Sequence, residues 1–287
     1  MPRTVLTALL AVLALLGACS KDEPERDEDV IVLSPPSAGE GHAHGPGVAT
    51  VVGDGTRSSA GGFSLVDVRL PDRTGQPGEL SFRIVDRSGR PVRDFVEEQT
   101  KLLHLYVVSE DLRDFRHLHP TLGDDGTWTA RVALAGAGPY RVLTEFTPRT
   151  DPGVGHVVLG RSEAVPGSRT PAEVVRGPGA HGGPVHVAVD EPLASGPHRR
   201  MRINVDDGAG GAVTLGGYLG SYAHVTGFDV DSGSFVHVHP YREPEVTADG
   251  TRLSFHTEFR EAGRYRFFVQ VRVDGFLHTV PVTAVVE

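Results

Sequence analysis

Apolar and polar residues alternate in short runs along the chain from Phe63 onward. Residues 63–70 and 79–85 alternate with a period of two, and turn residues close these runs at 71–75 and 86–89. A period of two is typical of β-strands with one buried face. Since no stretch keeps a helical apolar period over a dozen residues, we expect strands and very little helix.

The alternating pattern predicts seven strands in each half of the chain, in the same order. In the first half we expect them at residues 63–70, 79–85, 101–109, 115–119, 127–134, 140–147 and 155–165. In the second half we expect them at residues 185–189, 200–205, 222–229, 235–239, 251–257, 265–273 and 276–286. Seven short strands in about 100 residues are typical of an immunoglobulin-like sandwich. The predicted fold class is all-β, with two tandem immunoglobulin-like β-sandwich domains.

A local motif supports this fold class in both halves. Leu134-x3-Gly138-x-Tyr140 and Phe259-x3-Gly263-x-Tyr265 each precede an alternating strand. The motif resembles the tyrosine corner, in which the hydroxyl binds backbone a few residues upstream. The alternative is an ordinary pair of core tyrosines after glycine turns.

Composition and turn-rich segments suggest where the domains begin and end. We divide the chain into a signal peptide (1–18), a disordered acidic and Gly/Pro-rich tether (19–59), a first sandwich (60–167), a linker (168–183) and a second sandwich (184–287). The 36 glycines and 21 prolines agree with many turns and short strands.

The first nineteen residues have the pattern of a bacterial lipoprotein signal. Arg3 is followed by an apolar run, and Leu16-Gly17-Ala18-Cys19 resembles a lipobox. The resemblance implies cleavage before Cys19, acylation of its thiol, and a lipid-anchored location at the extracytoplasmic face of the cell membrane. A plain secretory signal with an incidental cysteine is the alternative. Because Cys19 is the one cysteine, no intramolecular disulfide can form.

The charge of the chain argues against a nucleic-acid partner. The formal net charge is −9, and loss of residues 1–18 removes only Arg3 and makes it −10. Phosphate backbones require clustered lysine and arginine.

His42 and His44 in the tether could bind a metal only weakly, because a flexible segment must first be ordered.

One histidine pattern occurs twice at an offset of 120 residues, which indicates an old internal duplication. It is His-x12-His-x-His-Pro, and its six histidines are His104, His117, His119, His224, His237 and His239. We expect each copy to form a hairpin, with His104 opposite His117 and His224 opposite His237. Side chains alternate along strands, so the histidines of each copy should share the face directed away from the sandwich core.

Three imidazoles on one face of a hairpin can ligate a metal. Neutral imidazole suits Cu(II), Zn and Ni. A soft Cu(I) site needs several thiolates or thioethers, and the expected mature chain contains only Met201 and one acylated cysteine. His156 and His278, each near the start of the last strand, are second-tier candidate ligands. The alternative is a set of packed histidines without metal, and Phe115 and Phe235 on the same face favour partial burial.

Catalysis has little support in the sequence. No nucleophilic triad, phosphate loop or paired acid stands out. Residues 237–250 match part of the cupin metal motif, but its leading glycine is replaced by Asp231, and Pro240 and Pro244 interrupt the strand. We therefore expect a protein that is not an enzyme.

The stretches KLLHLYVVSEDLRDFRHLHP, YLGSYAHVTGFDVDSGSFVHVHP and GRYRFFVQVRVDGFLHT carry a family resemblance. They resemble bacterial secreted or lipid-anchored proteins with YtkA-like and FixH-like sandwich domains, described as heavy-metal-associated, over roughly residues 60–287. The resemblance implies an extracytoplasmic location and copper handling. The expected function is binding of Cu(II) or Zn as a chaperone, buffer or sensor module. The alternative is a structural or interaction module that meets a membrane-protein partner and binds no metal.

Overall fold

Every regular element in the described part of the chain is a β-strand. The computed structural model describes residues 51–151, 153–174, 177–241 and 243–287. The predicted signal peptide, Cys19, His42, His44 and most of the tether lie outside these residues. Within them, no helix has the length and apolar character needed to cross a bilayer.

The first half of the chain forms the N-terminal sandwich. Its strands are β1 (Val51–Val52), β2 (Ser59–Ala60), β3 (Phe63–Arg69), β4 (Gly78–Val85), β5 (Phe95–Val96), β6 (His104–Ser109), β7 (Phe115–Leu118), β8 (Thr121–Leu122), β9 (Thr127–Val132), β10 (Gly138–Pro148) and β11 (His156–Val165). One sheet has the order β2-β3-β4-β9-β8, and the other has the order β1-β11-β10-β6-β7, with β5 paired to β10. Alternate residues of both sheets fill the core between them, such as Phe82 and Trp128 from the first sheet and Leu105 and Val107 from the second.

The second half forms the C-terminal sandwich on the same plan. Its strands are β12 (Gly179–Gly182), β13 (Val185–Val189), β14 (Gly196–Asp206), β15 (Ala223–Asp229), β16 (Phe235–Val236), β17 (Val238–Pro240), β18 (Glu245–Thr247), β19 (Gly250–Phe259), β20 (Gly263–Val273) and β21 (Phe276–Val286). One sheet has the order β12-β13-β14-β19-β17, with β18 also on β19, and the other has the order β16-β15-β20-β21. The prediction of two tandem immunoglobulin-like sandwiches is confirmed.

Both predicted tyrosine corners are present. The Tyr140 hydroxyl lies 2.9 Å from the carbonyl oxygen of Gly136, and the Tyr265 hydroxyl lies 2.8 Å from that of Glu261. Burial and a hydrogen bond to Asp114 raise the pKa of Tyr140 to about 12. Each hydroxyl therefore ties the turn before its strand to the strand itself.

The two sandwiches pack face to face within one compact unit. The contact faces are the sheet of β6, β7, β10 and β11 and the sheet of β15, β16, β20 and β21. An aromatic layer joins them, in which Phe115 stacks on Phe268 at 4.1 Å between ring centroids and Tyr106 lies 5.3 Å from Phe235. The faces that point away from each sandwich core thus form a third core between the sandwiches.

The first hairpin has the predicted faces but a different register. Leu105 pairs with Leu118, and Tyr106 pairs with His117. His104 therefore lies opposite His119, two residues from the predicted pairing with His117. A slip of two residues leaves every side chain on its predicted face, because the side-chain period is also two.

The second hairpin breaks where the prediction had one continuous strand. β16 pairs with β15, but β17 pairs with β19 in the opposite sheet, with His239 beside His256. The chain therefore crosses from one sheet to the other at His237.

Candidate metal centre

Three histidines of the N-terminal sandwich form a compact group, which we call the first histidine cluster: His104, His117 and His119. One imidazole nitrogen from each lies within 4.8 Å of the others. His104 begins β6, His117 lies on β7, and His119 follows that strand directly. The pairing of β6 with β7 therefore assembles the cluster from one hairpin, as the spacing predicts.

The second histidine cluster draws on both sandwiches: it contains His156, His237 and His239. Its ligand nitrogens also lie within 4.8 Å of one another. His156 begins β11 of the N-terminal sandwich, and its ring lies 5.1 Å from that of His237 and 5.9 Å from that of His239. The second-tier candidate His156 is thus placed with the two histidines of the other repeat.

From the repeat we expected His224 to lie with His237 and His239, but the structure places it elsewhere. Its ring lies 5.5 Å from His104 and 5.0 Å from His117, beside the first histidine cluster. The physical reason is the strand break at His237, which carries His239 toward the other sheet and away from β15. Each cluster therefore meets one histidine from the opposite sandwich.

His278 lies apart from both clusters. It pairs with Val271, a core residue, so its side chain shares the core-facing side of the sheet. In that register Leu277, opposite Arg272, takes the place that His156 has in the N-terminal sandwich. The apparent equivalence of His156 and His278 is therefore wrong by one residue, and one residue changes the face.

Two buried acceptors orient histidines across the domain interface. Glu145 Oε1 lies 2.6 Å from His237 Nδ1, and Gln270 Oε1 lies 2.7 Å from His117 Nδ1. Glu145 also accepts a hydrogen bond of 2.8 Å from the Tyr106 hydroxyl. Sequence reasoning missed both acceptors. The available signal was their alternation in strands β10 and β20, which puts them on the contact face.

Hydrogen bonds leave two ring nitrogens of the first cluster facing each other. His104 Nε2 lies 3.1 Å from the carbonyl oxygen of Glu98, which can only accept, so this nitrogen carries the proton. With the Gln270 amide oxygen as acceptor, the proton of a neutral His117 is on Nδ1. His104 Nδ1 and His117 Nε2, which lie 3.0 Å apart, then both carry lone pairs and no proton. A metal ion bound by both nitrogens removes their repulsion.

Burial keeps these histidines neutral and ready to donate lone pairs. It lowers the pKa of His117 well below the usual range, that of His119 to about 4 and that of His224 to about 3. The Nε2 atoms of His119, His224 and His237 are buried and have no hydrogen-bond partner among the described residues. Such orphaned nitrogens each cost about 1–3 kcal/mol unless something binds them.

The electrostatics of Glu145 differ from those of the histidines. Burial alone would raise its pKa, but His237 and the neighbouring histidines hold the pKa well below its ordinary value. The interface therefore contains a buried carboxylate charge beside several histidine nitrogens, which is favourable for a cation.

A small cavity of about 20 Å³ connects the two clusters. His104 of the first cluster and His156, His237 and His239 of the second line it, together with His224 and Glu145. About 10–15 Å³ is enough for one water molecule, so the space suits a single ion or water.

Fold and site together define a class: a tandem immunoglobulin-like protein with histidine clusters between its two domains. The family model described as "Domain of unknown function (DUF8832)" matches twice, at residues 63–159 and 180–287. The chain belongs to this family, and the two matches agree with the internal duplication.

Curated proteins and solved structures add little to this assignment. No curated protein matches the sequence. Similar solved structures include Salmonella alpha-2-macroglobulin, with 13% identity over 81% of this chain and a TM-score of 0.23. They also include Yersinia pseudotuberculosis InvD, with 14% identity over 78% of this chain and a TM-score of 0.23. A third is titin A168169, with 13% identity over 75% of this chain and a TM-score of 0.18. The chain covers 16%, 56% and 92% of these three structures.

Proposed function

We propose that this protein binds Cu(II) or Zn at the two histidine clusters between its sandwiches and acts as a non-catalytic metal chaperone, buffer or sensor. The observation that carries the proposal is the convergence of three histidine nitrogens in each cluster, all within 4.8 Å of one another. In the first cluster, His104 Nδ1 and His117 Nε2 lie 3.0 Å apart. In these two rings the other nitrogen lies within hydrogen-bond distance of an oxygen, the Glu98 carbonyl for His104 and the Gln270 amide oxygen for His117. This is the outer-shell arrangement that metal-ligating histidines use.

The spacing of the imidazole rings supports the same function. Four rings bound tetrahedrally to one ion, with metal–nitrogen bonds of about 2 Å, have centroids about 5 Å apart. The rings of His104, His117 and His119 are separated by 4.7–5.3 Å, and the His224 ring lies 5.5 Å from that of His104 and 5.0 Å from that of His117. We infer that His224 is a fourth nitrogen ligand at the first cluster.

We propose a lipid-anchored location because Leu16-Gly17-Ala18-Cys19 resembles a lipobox. A lipidated Cys19 would hold the sandwiches at the extracytoplasmic face of the cell membrane, through the acidic tether. The resemblance to heavy-metal-associated YtkA-like and FixH-like proteins supports a role in copper handling there. A membrane protein that supplies or accepts the metal is the natural partner.

The competing function is a structural module without metal, and one observation favours it. If the Gln270 amide is rotated by 180°, its NH₂ group donates to His117 Nδ1. His117 Nε2 can then donate to His104 Nδ1, and no metal is needed. With the amide oxygen toward His117, Gln270 Nε2 lies 3.3 Å from the Thr279 hydroxyl. That hydroxyl can also donate, so hydrogen bonding permits both orientations.

A metal titration tests the proposal. Purified full-length protein is titrated with Cu(II) and with Zn by calorimetry, beside H119A/H239A, which removes one ligand from each cluster. We expect two ions per chain for the unmodified protein and a loss of at least tenfold in affinity for the variant.

The matched control removes two histidines outside both clusters, as H198A/H278A. It should titrate like the unmodified protein, and circular dichroism should report folded protein for both variants. Indistinguishable titrations of H119A/H239A and the unmodified protein would reject metal binding at the clusters and leave the structural module.

A further inference from the structure

Glu145 and Gln270 occupy equivalent positions in the two repeats. Glu145 lies opposite His104 in the pairing of β10 with β6, and Gln270 lies opposite His224 in the pairing of β20 with β15. His104 and His224 are themselves the first histidines of the two repeats. The two acceptors therefore sit at the same place in each sandwich.

Each acceptor reaches across to the same histidine of the opposite repeat. Glu145 binds His237 Nδ1, and Gln270 binds His117 Nδ1. Both histidines are the second of their pattern. The exchange is reciprocal, so each sandwich orients one ligand in the other's hairpin.

The chemical difference between the two acceptors is one negative charge. A divalent cation with neutral imidazole ligands keeps its full double charge, and a carboxylate behind one ligand halves the net charge of the buried group. Glu145 is 8% exposed and Gln270 is 4% exposed, so water screens neither of them strongly. A carboxylate acceptor also makes the imidazole a stronger donor to the metal than an amide does.

We propose that Glu145 is a positioning and charge-compensating residue for a divalent cation in the second histidine cluster. Gln270 performs the positioning alone for the first cluster. The protein then carries two metal sites of different net charge, each tuned from the opposite sandwich. This inference rests on the proposed metal-binding function.

The reciprocal arrangement supplies a matched pair of substitutions, E145Q and Q270E. Each is nearly isosteric, and each gives one cluster the acceptor that the other has. The sites are separated by background variants: H117A/H119A leaves only His104 and His224 at the first cluster and keeps the second intact, whereas H239A keeps the first intact. Affinities for Zn are measured in full-length protein by competition with a chromophoric chelator, and Cu(II) spectra report the ligand field.

We expect E145Q in the H117A/H119A background to weaken Zn binding by about 10–100-fold, the usual effect of removing an outer-shell partner. We expect Q270E in the H239A background to strengthen Zn binding and to shift the Cu(II) absorption toward that of the second cluster. If the side chain at position 270 only stabilised the fold, Q270E would not increase the affinity for Zn.

The outcomes separate this inference from the proposed function. Absence of Zn and Cu(II) binding in both backgrounds would reject metal binding itself. Binding in both backgrounds with affinities unchanged by E145Q and Q270E would overturn the role of the carboxylate alone. A loss in E145Q without a gain in Q270E would also overturn it, because Glu145 would then be structural. If E145Q does not fold, the Zn affinity of Q270E in the H239A background still tests the role of the carboxylate.

Discussion

At the scale of single residues, the two tyrosine corners are alike in backbone but not in side-chain partners. The Tyr140 hydroxyl reaches both the Gly136 carbonyl and the buried carboxylate of Asp114, whereas the Tyr265 hydroxyl donates to the Glu261 carbonyl. Removing the Tyr140 hydroxyl therefore leaves a buried charged acceptor with one donor fewer.

We expect Tyr140→Phe to lower the free energy of unfolding by about 2 kcal/mol and Tyr265→Phe by about 1 kcal/mol. Urea denaturation of the two variants measures both values in the same protein. Equal losses would show that Asp114 gains nothing from the Tyr140 hydroxyl.

The sequence was sufficient for residues whose role is local. The tyrosine corners follow from a motif of a few neighbouring residues, and the shared face of His104 and His117 follows from alternation. The role of Glu145 was not predictable, because its partner His237 belongs to the other sandwich. Alternation shows which way Glu145 points but not which surface it meets.

At the scale of elements, the contact strands carry an aromatic layer as well as the histidines. Phe115 on β7 is 7% exposed and stacks on Phe268, with Phe228 also in edge contact. A large buried aromatic side chain that is cut to alanine leaves a cavity as well as losing its burial.

We expect Phe115→Ala to cost about 3–4 kcal/mol of unfolding free energy. Phe276→Ala is the matched control, because Phe276 is 72% exposed and should change stability by less than about 0.5 kcal/mol. Guanidinium denaturation measures both. A small loss for Phe115→Ala would mean that the two sandwiches pack loosely at this point.

Strand positions were more predictable than strand pairings. The hydrophobic period located β6 and β7 and gave their faces, but a shift of two residues satisfies the same pattern, and the observed register is the shifted one. The break between β16 and β17 depends on a pairing with β19, which is distant in sequence. Local alternation therefore could not separate these two strands.

At the scale of the whole molecule, the second cluster joins the two sandwiches because His156 and the pair His237 and His239 come from different halves. Bound metal should therefore stabilise the packed arrangement of both sandwiches and not one sandwich alone. A ligand that binds only the folded state stabilises it by mass action.

For each site that it fills, free Zn at 100 times the dissociation constant of that site should add about 2.7 kcal/mol of stability. For a folded part of this size that corresponds to a rise in Tm of about 5–10 °C. Scanning calorimetry with Zn and with a chelator measures the shift, and H119A/H239A should show a much smaller one. A shift of equal size in that variant would place the metal elsewhere in the protein.

The domain count and the sandwich architecture were predictable because each repeat carries its own strand pattern and turn residues. The only sign in the sequence that the two sandwiches pack together was the position of Phe115 and Phe235 on the histidine face, which indicated partial burial. An apolar residue on an outer face indicates that something covers it, but it does not identify the cover. For that reason the exchange of His156 and His224 between the clusters was not predictable.

The reciprocal contacts of Glu145 and Gln270 have an evolutionary consequence. Two separate copies of one such domain, packed as a symmetric dimer, would present identical acceptors at both clusters, and any substitution would appear twice. Joining the copies in one chain lets each acceptor change by itself. The carboxylate at one position and the amide at the other are a difference that a homodimeric ancestor could not have encoded.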